Sequence, residues 1–291
     1  MKKTYVQASS ERSSRKTKGL IFFTFMILSS LIITSLVTML SGCNGAPADP
    51  IGETRSVDYA TRPEPIAPLT NGVNLMPDYY NGGNPDFAWS LMTQFPAIKT
   101  VRIEIESFID ISVAQGWIAN AVMSGYTVIA TYHDRSLIDG TPVDLRRQDD
   151  PNELMIAANW WLANYQNLTM STSYITDKLY VNLCNEWGTH SMNASTYASA
   201  YNNAINVVRQ VYTGPIIVDV PGWGQDVNTA ANASSMISDG NIIFSAHIYP
   251  AAYNSGVGDF QPSHLDVLQA TGRPCIIGEF GNYSAAGNKV D

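Results

Sequence analysis

The chain has few charged residues and few cysteines for its length of 291 residues. Asp, Glu, Lys and Arg together make up 14% of it, and cysteine occurs three times. Six of the 17 basic residues but only one of the 25 acidic residues lie within positions 1–18, which leaves 11 basic and 24 acidic residues beyond them. Because phosphate binding requires a positive surface, this acidic remainder argues against a nucleic-acid partner. The low charge and the 45% hydrophobic content are typical of a globular fold with a large core.

Two kinds of cofactor motif are also missing from the sequence. No Gly-rich turn of the phosphate-binding type follows an early predicted strand, which argues against a nucleotide-binding, doubly wound sheet. No short-range metal spacing such as His-Glu-x-x-His occurs. His133 and His247 could each be a metal ligand or a hydrogen-bonded core residue, but without such spacing we expect neither a metal nor another cofactor.

Residues 1–43 have the layout of a bacterial export signal. A basic stretch is followed by residues 19–40, which are uncharged and mostly apolar, and Leu40-Ser41-Gly42-Cys43 then resembles a lipobox. In such a motif the signal is cleaved before the cysteine, so the thiol of Cys43 would carry lipid. The alternative is an uncleaved membrane anchor, because 22 apolar residues can span a bilayer. We expect an exported protein, held at the cell envelope or cell surface by its lipid.

The pattern changes after residues 44–70, which are rich in proline and in small or polar residues and are typical of a linker. From residue 71 short runs rich in β-branched residues recur, too short for helices. They are predicted as buried strands at 73–75, 100–105, 126–132, 179–184, 216–220, 242–247 and 274–278. Helices are predicted between them, among them 151–168 and 195–212.

Strands that alternate with helices form parallel βαβ units. Because the strands are apolar on both faces, they favour a TIM (β/α)8 barrel for residues 71–291 over an open sheet. Only seven strands are predicted, and a barrel short of one strand has two unpaired edges. We therefore expect the sequence to be truncated before the eighth strand. Cys184 and Cys275 lie in predicted strands and are interpreted as buried thiols, with a disulfide as the alternative.

In a TIM barrel the active site lies at the C-terminal ends of the strands. Polar and aromatic residues occupy these positions, namely Arg102, His133, Asp134, Asn185, Glu186, Trp187, Trp223, His247, Tyr249 and Glu279. Glu186 and Glu279 end the fourth and seventh predicted strands, across the barrel mouth from each other. A retaining glycosidase needs two carboxyl groups about 5–5.5 Å apart, one as nucleophile and one as acid/base. We therefore expect these two glutamates to be catalytic.

Three segments resemble glycoside hydrolase family 5, the large group of endo-acting cellulases and mannanases. They are YVNLCNE at 180–186, SAHIY at 245–249 and IIGEF at 276–280. The resemblance implies that Glu186 is the acid/base and Glu279 the nucleophile. It further implies that Asn185 binds the sugar 2-hydroxyl, that Arg102 and Tyr249 hold the nucleophile, and that His133 and His247 flank the bound sugar.

Three segments look more like the bacterial mannanase branch of that family, namely His133-Asp134, Asn185-Glu186-Trp187 and Gly222-Trp223-Gly224-Gln225. We expect a monomeric, retaining endo-β-1,4-mannanase whose partner is a β-linked polysaccharide. The alternatives are an endo-β-1,4-glucanase, a transglycosylase, and a lipid-anchored glycan-binding protein without catalysis. Trp187 and Trp223 are expected to contact sugar rings, although either could instead fill the top of the barrel.

Four further acidic residues are given no catalytic role. Glu104, Glu106 and Asp110 are interpreted as solvated acids or as rim residues of the substrate groove. Asp219 points either into the barrel or against the surrounding helices, and the sequence leaves its role open.

Overall fold

The structure is a computed structural model that describes residues 67–79, 89–133, 135–138, 141–144, 149–250 and 252–281. All of them belong to one compact unit, Val57–Asp291. The predicted export signal, Cys43, most of the predicted linker and residues 282–291 lie outside the described residues. Within the part of the chain that is described, no helix is long and apolar enough to cross a membrane.

Seven parallel strands form the central sheet, and they pair in the order in which they occur along the chain. They are β1 (Gly72–Leu75), β2 (Thr100–Glu106), β3 (Thr127–His133), β6 (Leu179–Asn182), β7 (Ile216–Asp219), β8 (Ile242–Ile248) and β11 (Cys275–Phe280). Two antiparallel hairpins that the sequence did not predict lie outside this sheet: β4 (Arg135–Ile138) with β5 (Thr141–Asp144), and β9 (Tyr253–Asn254) with β10 (Gly258–Asp259). All seven predicted strands are present, and their parallel order confirms the TIM-barrel prediction.

The sheet curls into a nearly closed barrel with one open seam. Among the described residues β1 and β11 are its two edge strands. A cavity of about 620 Å³ lies at the seam, where Val73, Ile129 and Ile276 line it and its polar side reaches Arg102 and Glu279. The cavity therefore connects the barrel interior with the carboxylate of Glu279.

Helices connect the strands and cover the outside of the barrel. They are α1 (Trp89–Met92), α2 (Ile111–Met123), α3 (Pro151–Thr169), α4 (Ser173–Thr176), α5 (Ala194–Val208), α6 (Pro221–Gly224), α7 (Val227–Ala233) and α8 (His264–Gln269). Short 3-10 turns occur at Pro77–Tyr79 and Ser234–Met236. Helix α3 begins as predicted, because the carboxylate of Asp150 accepts the backbone N–H of Asn152. Helix α5 ends four residues before the predicted boundary, where Arg209 donates to the carbonyls of Tyr212 and Gly214.

Alternation along β2 separates the apolar outside of the barrel from its polar inside. Val101, Ile103 and Ile105 have no exposed surface and pack in the main core beneath the helices. Arg102, which alternates with them, points to the opposite face, since successive strand residues face opposite sides. At the lower end of the interior a small cluster of Ile129, Tyr180, Ile217 and Ile243 closes the barrel. Polar side chains occupy the interior above this cluster.

Cys184 is buried and Cys275 is partly buried, and both are thiols. The interpretation of the two cysteines as thiols rather than a disulfide is therefore confirmed.

Candidate active site

Glu186 and Glu279 meet at the C-terminal end of the barrel. Glu186 follows β6, and Glu279 is the fifth residue of β11; their side chains are 18% and 7% exposed. One oxygen of Glu186, one oxygen of Glu279 and one ring nitrogen of His247 all lie within 4.8 Å of one another. Two carboxylates that share one histidine over so short a span form a single chemical centre.

Two donors hold the carboxylate of Glu279. Arg102 Nη1 donates to Oε1 over 2.6 Å, and the hydroxyl of Tyr249 donates to Oε2 over 2.7 Å. Burial raises the pKa of Glu279, while the positive charges of His247 and Arg102 oppose that rise. Burial and the neighbouring Glu279 also raise the pKa of Tyr249 well above its ordinary value, so this hydroxyl remains a donor. Glu279 is thus a buried, oriented carboxylate.

Arg102 reaches across the whole interior. Beyond Glu279 it contacts Glu104 at 3.1 Å, Asn182 at 3.0 Å and the side-chain oxygen of Asn185. A further carboxylate oxygen, Oδ2 of Asp219, lies 3.5 Å from Nη2. Burial opposes its charge, but the surrounding carboxylates raise the pKa of Arg102 above its ordinary value. One guanidinium therefore joins residues from most strands of the barrel.

His247 is buried between three carboxylates. Its Nδ1 lies 2.8 Å from Oε1 of Glu186 and 3.4 Å from Oε1 of Glu279, and its Nε2 lies 3.5 Å from Oδ2 of Asp219. Burial alone would lower the pKa of His247, but Glu279 and Asp219 raise it to about 10. The flanking carboxylates therefore favour the charged form of the imidazole.

Glu104 and Glu106 are buried, which corrects the interpretation of them as solvated or rim acids. They are 3% and 1% exposed, because alternation along β2 turns them inward with Arg102. Glu104 accepts hydrogen bonds from Asn74 and Arg102 and lies 2.9 Å from Nδ1 of His133. Burial would raise its pKa, but His133 and Arg102 hold the pKa of Glu104 well below its ordinary value. Asp110, in contrast, is the exposed N-cap of α2, as expected.

His133 and Asn185 contact residues that hold Glu279 or its partners, and both are buried. Nδ1 of His133 lies between Glu104 and Glu106, at 2.9 and 3.2 Å. Asn185 is 2% exposed, and its side-chain oxygen accepts a hydrogen bond from Arg102. Their contacts with a sugar stay predictions. Asp134 lies outside the described residues.

Trp187 does not line the site, and its expected sugar contact is wrong. The side chain has no exposed surface, and its Nε1 donates to the carbonyl of Asp150 over 3.2 Å. Its ring packs on Tyr197 and Tyr201 of α5, at centroid distances of 6.3 and 5.8 Å. The positive φ of 50° at Glu186 reverses the chain there and directs Trp187 into the core. Trp187 fills the barrel top, which was the alternative interpretation.

Trp223 is partly exposed beside the catalytic centre. Its ring meets that of His190 edge to face at 5.2 Å, and His190 meets Tyr253 at 5.4 Å. Tyr253 is 45% exposed, so the three rings form an aromatic edge that leads outward from the site. This exposure is compatible with the predicted sugar contact of Trp223, which stays a prediction.

Among the described residues, two groups of side chains bring enough donor atoms together to hold a metal ion: Glu104, Glu106 and His133, and Glu186, His247 and Glu279. In both groups a histidine nitrogen lies within 2.9 Å of a carboxylate oxygen. A proton on each imidazole accounts for these short contacts between histidine and carboxylate.

Several residues of the site were not predicted from the sequence. Asn74, Glu104, Asn182 and Asp219 all contact Arg102 or the partners of Arg102. The signal that could have identified them is the alternation itself. Each of these polar residues stands between two apolar residues, within its strand or at its last position, and faces the barrel interior.

The fold and the paired carboxylates are those of a barrel enzyme that works on glycosidic bonds. The family model for cellulase (glycosyl hydrolase family 5) matches residues 108–291. The chain therefore belongs to glycosyl hydrolase family 5, in agreement with the resemblance found in the sequence.

Curated relatives and solved structures support this membership. The chain is similar to a mannan endo-1,4-beta-mannosidase of Cellvibrio japonicus (strain Ueda107), with 29% identity over 143 residues, 45% of this chain and 32% of that protein. It is 34% identical to one from Streptomyces lividans over 122 residues, 38% of this chain and 30% of that protein. The matched region spans about a third of the length of these curated relatives. The catalytic domain of mannanase from Streptomyces sp. SirexAA-E shares the fold, with a TM-score of 0.59, 20% identity, and coverage of 85% of this chain and 80% of that one.

Proposed function

We propose that the protein is a retaining endo-acting glycoside hydrolase that cleaves β-1,4-mannan. The observation that carries the proposal is the short span between the two catalytic carboxylates, whose nearest oxygens lie within 4.8 Å of each other. Retaining enzymes hold their carboxyl groups about 5–5.5 Å apart, whereas inverting enzymes leave about 6.5–9.5 Å for a water molecule between them. A direct attack by one carboxylate therefore fits this centre better than an attack by water.

The contacts of the two glutamates suit different roles. Glu279 is oriented by Arg102 and Tyr249 and attacks the anomeric carbon, forming a glycosyl-enzyme. Glu186 is the more exposed of the two and donates a proton to the departing glycosidic oxygen. In the second step Glu186 takes a proton from water, which releases the sugar from Glu279 with its configuration retained.

Mannan is proposed as the substrate because both curated relatives are named mannan endo-1,4-beta-mannosidases. A glucan is the second candidate, since the matching family model is that of the cellulases. The intact pair of glutamates argues against a glycan-binding protein without catalysis.

The test is an assay of reducing-sugar release from mannan, glucomannan and carboxymethylcellulose by the full chain. Glu279→Ala and Glu186→Gln should each reduce activity by orders of magnitude while circular dichroism remains unchanged. Proton NMR of the first product should show the β-anomer. Activity on the glucan alone would overturn the choice of substrate, and an α-anomer formed first would overturn the mechanism. A well-folded chain that binds mannan without cleaving it would refute the hydrolase.

We also propose, from residues 1–43, that the protein is exported and lipid-anchored through Cys43. We further propose that it is monomeric. Metabolic labelling with a radioactive fatty acid should mark the wild-type chain and leave Cys43→Ala unlabelled. A Cys43→Ala chain that still fractionates with membranes would instead favour an uncleaved anchor. Size-exclusion chromatography with light scattering tests the monomer.

A further inference from the structure

Asp219 is a buried carboxylate at the heart of the site, and the reaction proposed above does not use it. It is the last residue of β7, and no part of it is exposed. Its own backbone carbonyl is held by the hydroxyls of Tyr197 and Tyr201, at 2.8 and 3.4 Å. A fixed, unexposed carboxylate cannot contact a polysaccharide, so any role it has must act through its neighbours.

Those neighbours belong to three other parts of the barrel. Oδ1 accepts a hydrogen bond from Asn182 Nδ2 over 3.1 Å. Oδ2 accepts the backbone N–H of Glu186 over 2.9 Å. The same oxygen lies 3.5 Å from Nε2 of His247 and 3.5 Å from Nη2 of Arg102. Asp219 thus contacts the residues on which both catalytic carboxylates depend.

The hydrogen bond to Glu186 fixes an unusual backbone. Glu186 has a φ of 50°, a left-handed conformation that residues other than glycine rarely adopt and that surrounding contacts must maintain. The N–H of Glu186 points at Asp219, so this bond selects the turn that carries the acid/base into the cleft.

The second contact concerns the charge of His247. The titratable groups facing its ring are Glu186 and Glu279 at Nδ1 and Asp219 at Nε2, with Arg102 on the far side of the carboxylates. A neutral imidazole has one N–H, whereas an imidazolium carries a proton and positive charge at both nitrogens, which carboxylates on both sides favour. At 3.5 Å the contact with Asp219 is a charge contact rather than a short hydrogen bond.

The ring of His247 cannot turn away from these partners. A Cβ at Gly224 would lie 2.5 Å from its Cγ, and a Cβ at Gly278 would lie 3.1 Å from its Nε2. Backbone therefore flanks the imidazole on two sides, so the ring of His247 stays in a fixed position beside Glu186 and Glu279.

We propose that Asp219 is a positioning residue that keeps His247 in its imidazolium form and fixes the backbone of Glu186, so that the acid/base is held in place and its carboxylate is stabilised once the proton has passed to the glycosidic oxygen. The proposal rests on the proposed hydrolase function and goes beyond it.

The direction of the expected pH effect follows from the charge. Asp219→Asn preserves size and removes one negative charge beside His247, which makes it easier for the imidazolium to lose its proton. The alkaline limb of the kcat/KM profile should therefore move to lower pH, by half a pH unit or more. We expect kcat to fall ten- to a hundredfold and KM to change less than threefold, because no sugar contact is lost.

The matched control is Tyr197→Phe, which removes a hydroxyl that holds the backbone of Asp219 but leaves the charge in place. It should lower thermal stability without moving the alkaline limb. Asp219 would be only a structural residue if the pH profile of Asp219→Asn had both limbs at the wild-type positions. The same conclusion would follow if Tyr197→Phe moved the alkaline limb as far as Asp219→Asn does.

A second measurement on the wild-type protein requires neither enzyme activity nor a folded Asp219→Asn variant. With 15N-labelled histidine, the wild-type ring of His247, assigned by its loss in His247→Asn, should give imidazolium signals up to at least pH 8. A ring that is neutral at pH 7 would overturn the proposal even if the enzyme is active. An imidazolium in an enzyme without glycosidase activity would instead place the failure in the proposed function.

Discussion

Gly278 occupies a position that tolerates no side chain, and Gly278→Ala provides a sharp test of the packing around the catalytic centre. A Cβ there would lie 2.2 Å from Oγ of Ser245 and 3.1 Å from Nε2 of His247. Ordinary contacts begin near 3.4 Å, so the overlap with Ser245 is on the order of 1 Å. Because Ser245 is fully buried in β8, its hydroxyl has little space to move aside. Strand β11 must therefore shift, and Glu279 with it.

Two magnitudes follow from that shift. Overpacking of a core costs about 1–3 kcal/mol, which for a domain of this size lowers Tm by about 2–12 °C. A displacement of about 1 Å at a catalytic group costs roughly a hundredfold in rate. We expect Gly278→Ala to show both effects, with Tm measured by calorimetry and kcat by reducing-sugar release.

A rescue separates the steric clash from other causes. Within the described residues the hydroxyl of Ser245 has no hydrogen-bond partner, so Ser245→Ala alone should be close to neutral. Combined with Gly278→Ala it removes the atom that clashes, and the double variant should regain at least half of the lost stability. Gly116→Ala is the matched control, because nothing lies within 4 Å of its Cβ in α2, and it should raise stability by about 0.5–1 kcal/mol. Wild-type Tm and kcat in Gly278→Ala would refute the packing described here.

Three further predictions follow from the site. Trp187→Ala should cost about 3–5 kcal/mol of unfolding free energy in calorimetry, since the ring is fully buried. Trp223→Ala should leave Tm unchanged and raise KM for mannan two- to tenfold, equivalent to about 0.5–1.5 kcal/mol of stacking; an unchanged KM would exclude its sugar contact. Arg102→Met should lower the free energy of unfolding at pH 7 by about 3–5 kcal/mol in calorimetry. Arg209→Met, which removes a partly exposed ion pair with Asp239, should lower it far less. The lowered pKa of Glu104 means that its ionised form stabilises the fold fully above the ordinary pKa of 4.5 and progressively less at lower pH. The stability difference between wild type and Arg102→Met should therefore narrow as the pH falls below about 4.5. A difference independent of pH would contradict the ion-pair account.

The barrel could be predicted from the sequence because short runs rich in β-branched residues alternate with helices. The β9–β10 hairpin could not, because each of its strands has two residues, too few for any period to appear. The β4–β5 hairpin has a sequence signal, because the two residues between its strands are Asp139-Gly140, a pair typical of two-residue hairpin turns.

The site was predicted where a residue ends a strand, and missed where a polar residue lies within one. Glu186, Glu279 and Tyr249 stand out because they follow apolar runs. Glu104 stands between Ile103 and Ile105, and an isolated acid among apolar residues was interpreted as solvated. The structure reverses that interpretation, because the cation that pairs with Glu104 comes from the same strand and faces the same side, two residues earlier. Trp187 shows the opposite error, since only the left-handed turn at Glu186 reveals that its ring points into the core.

The charges of the buried centre match the reaction proposed for it. Arg102 and His247 supply two positive charges, and Glu104 and Asp219 supply two negative charges that stay in place because both carboxyl groups have lowered pKa values. These four charges cancel. When Glu186 is protonated as the acid, Glu279 therefore carries the one negative charge that remains among these six residues. An oxocarbenium-like transition state develops positive charge beside that carboxylate. The supporting carboxylates therefore hold the two cations that orient Glu279 without leaving net positive charge at the anomeric carbon, where it would oppose the reaction.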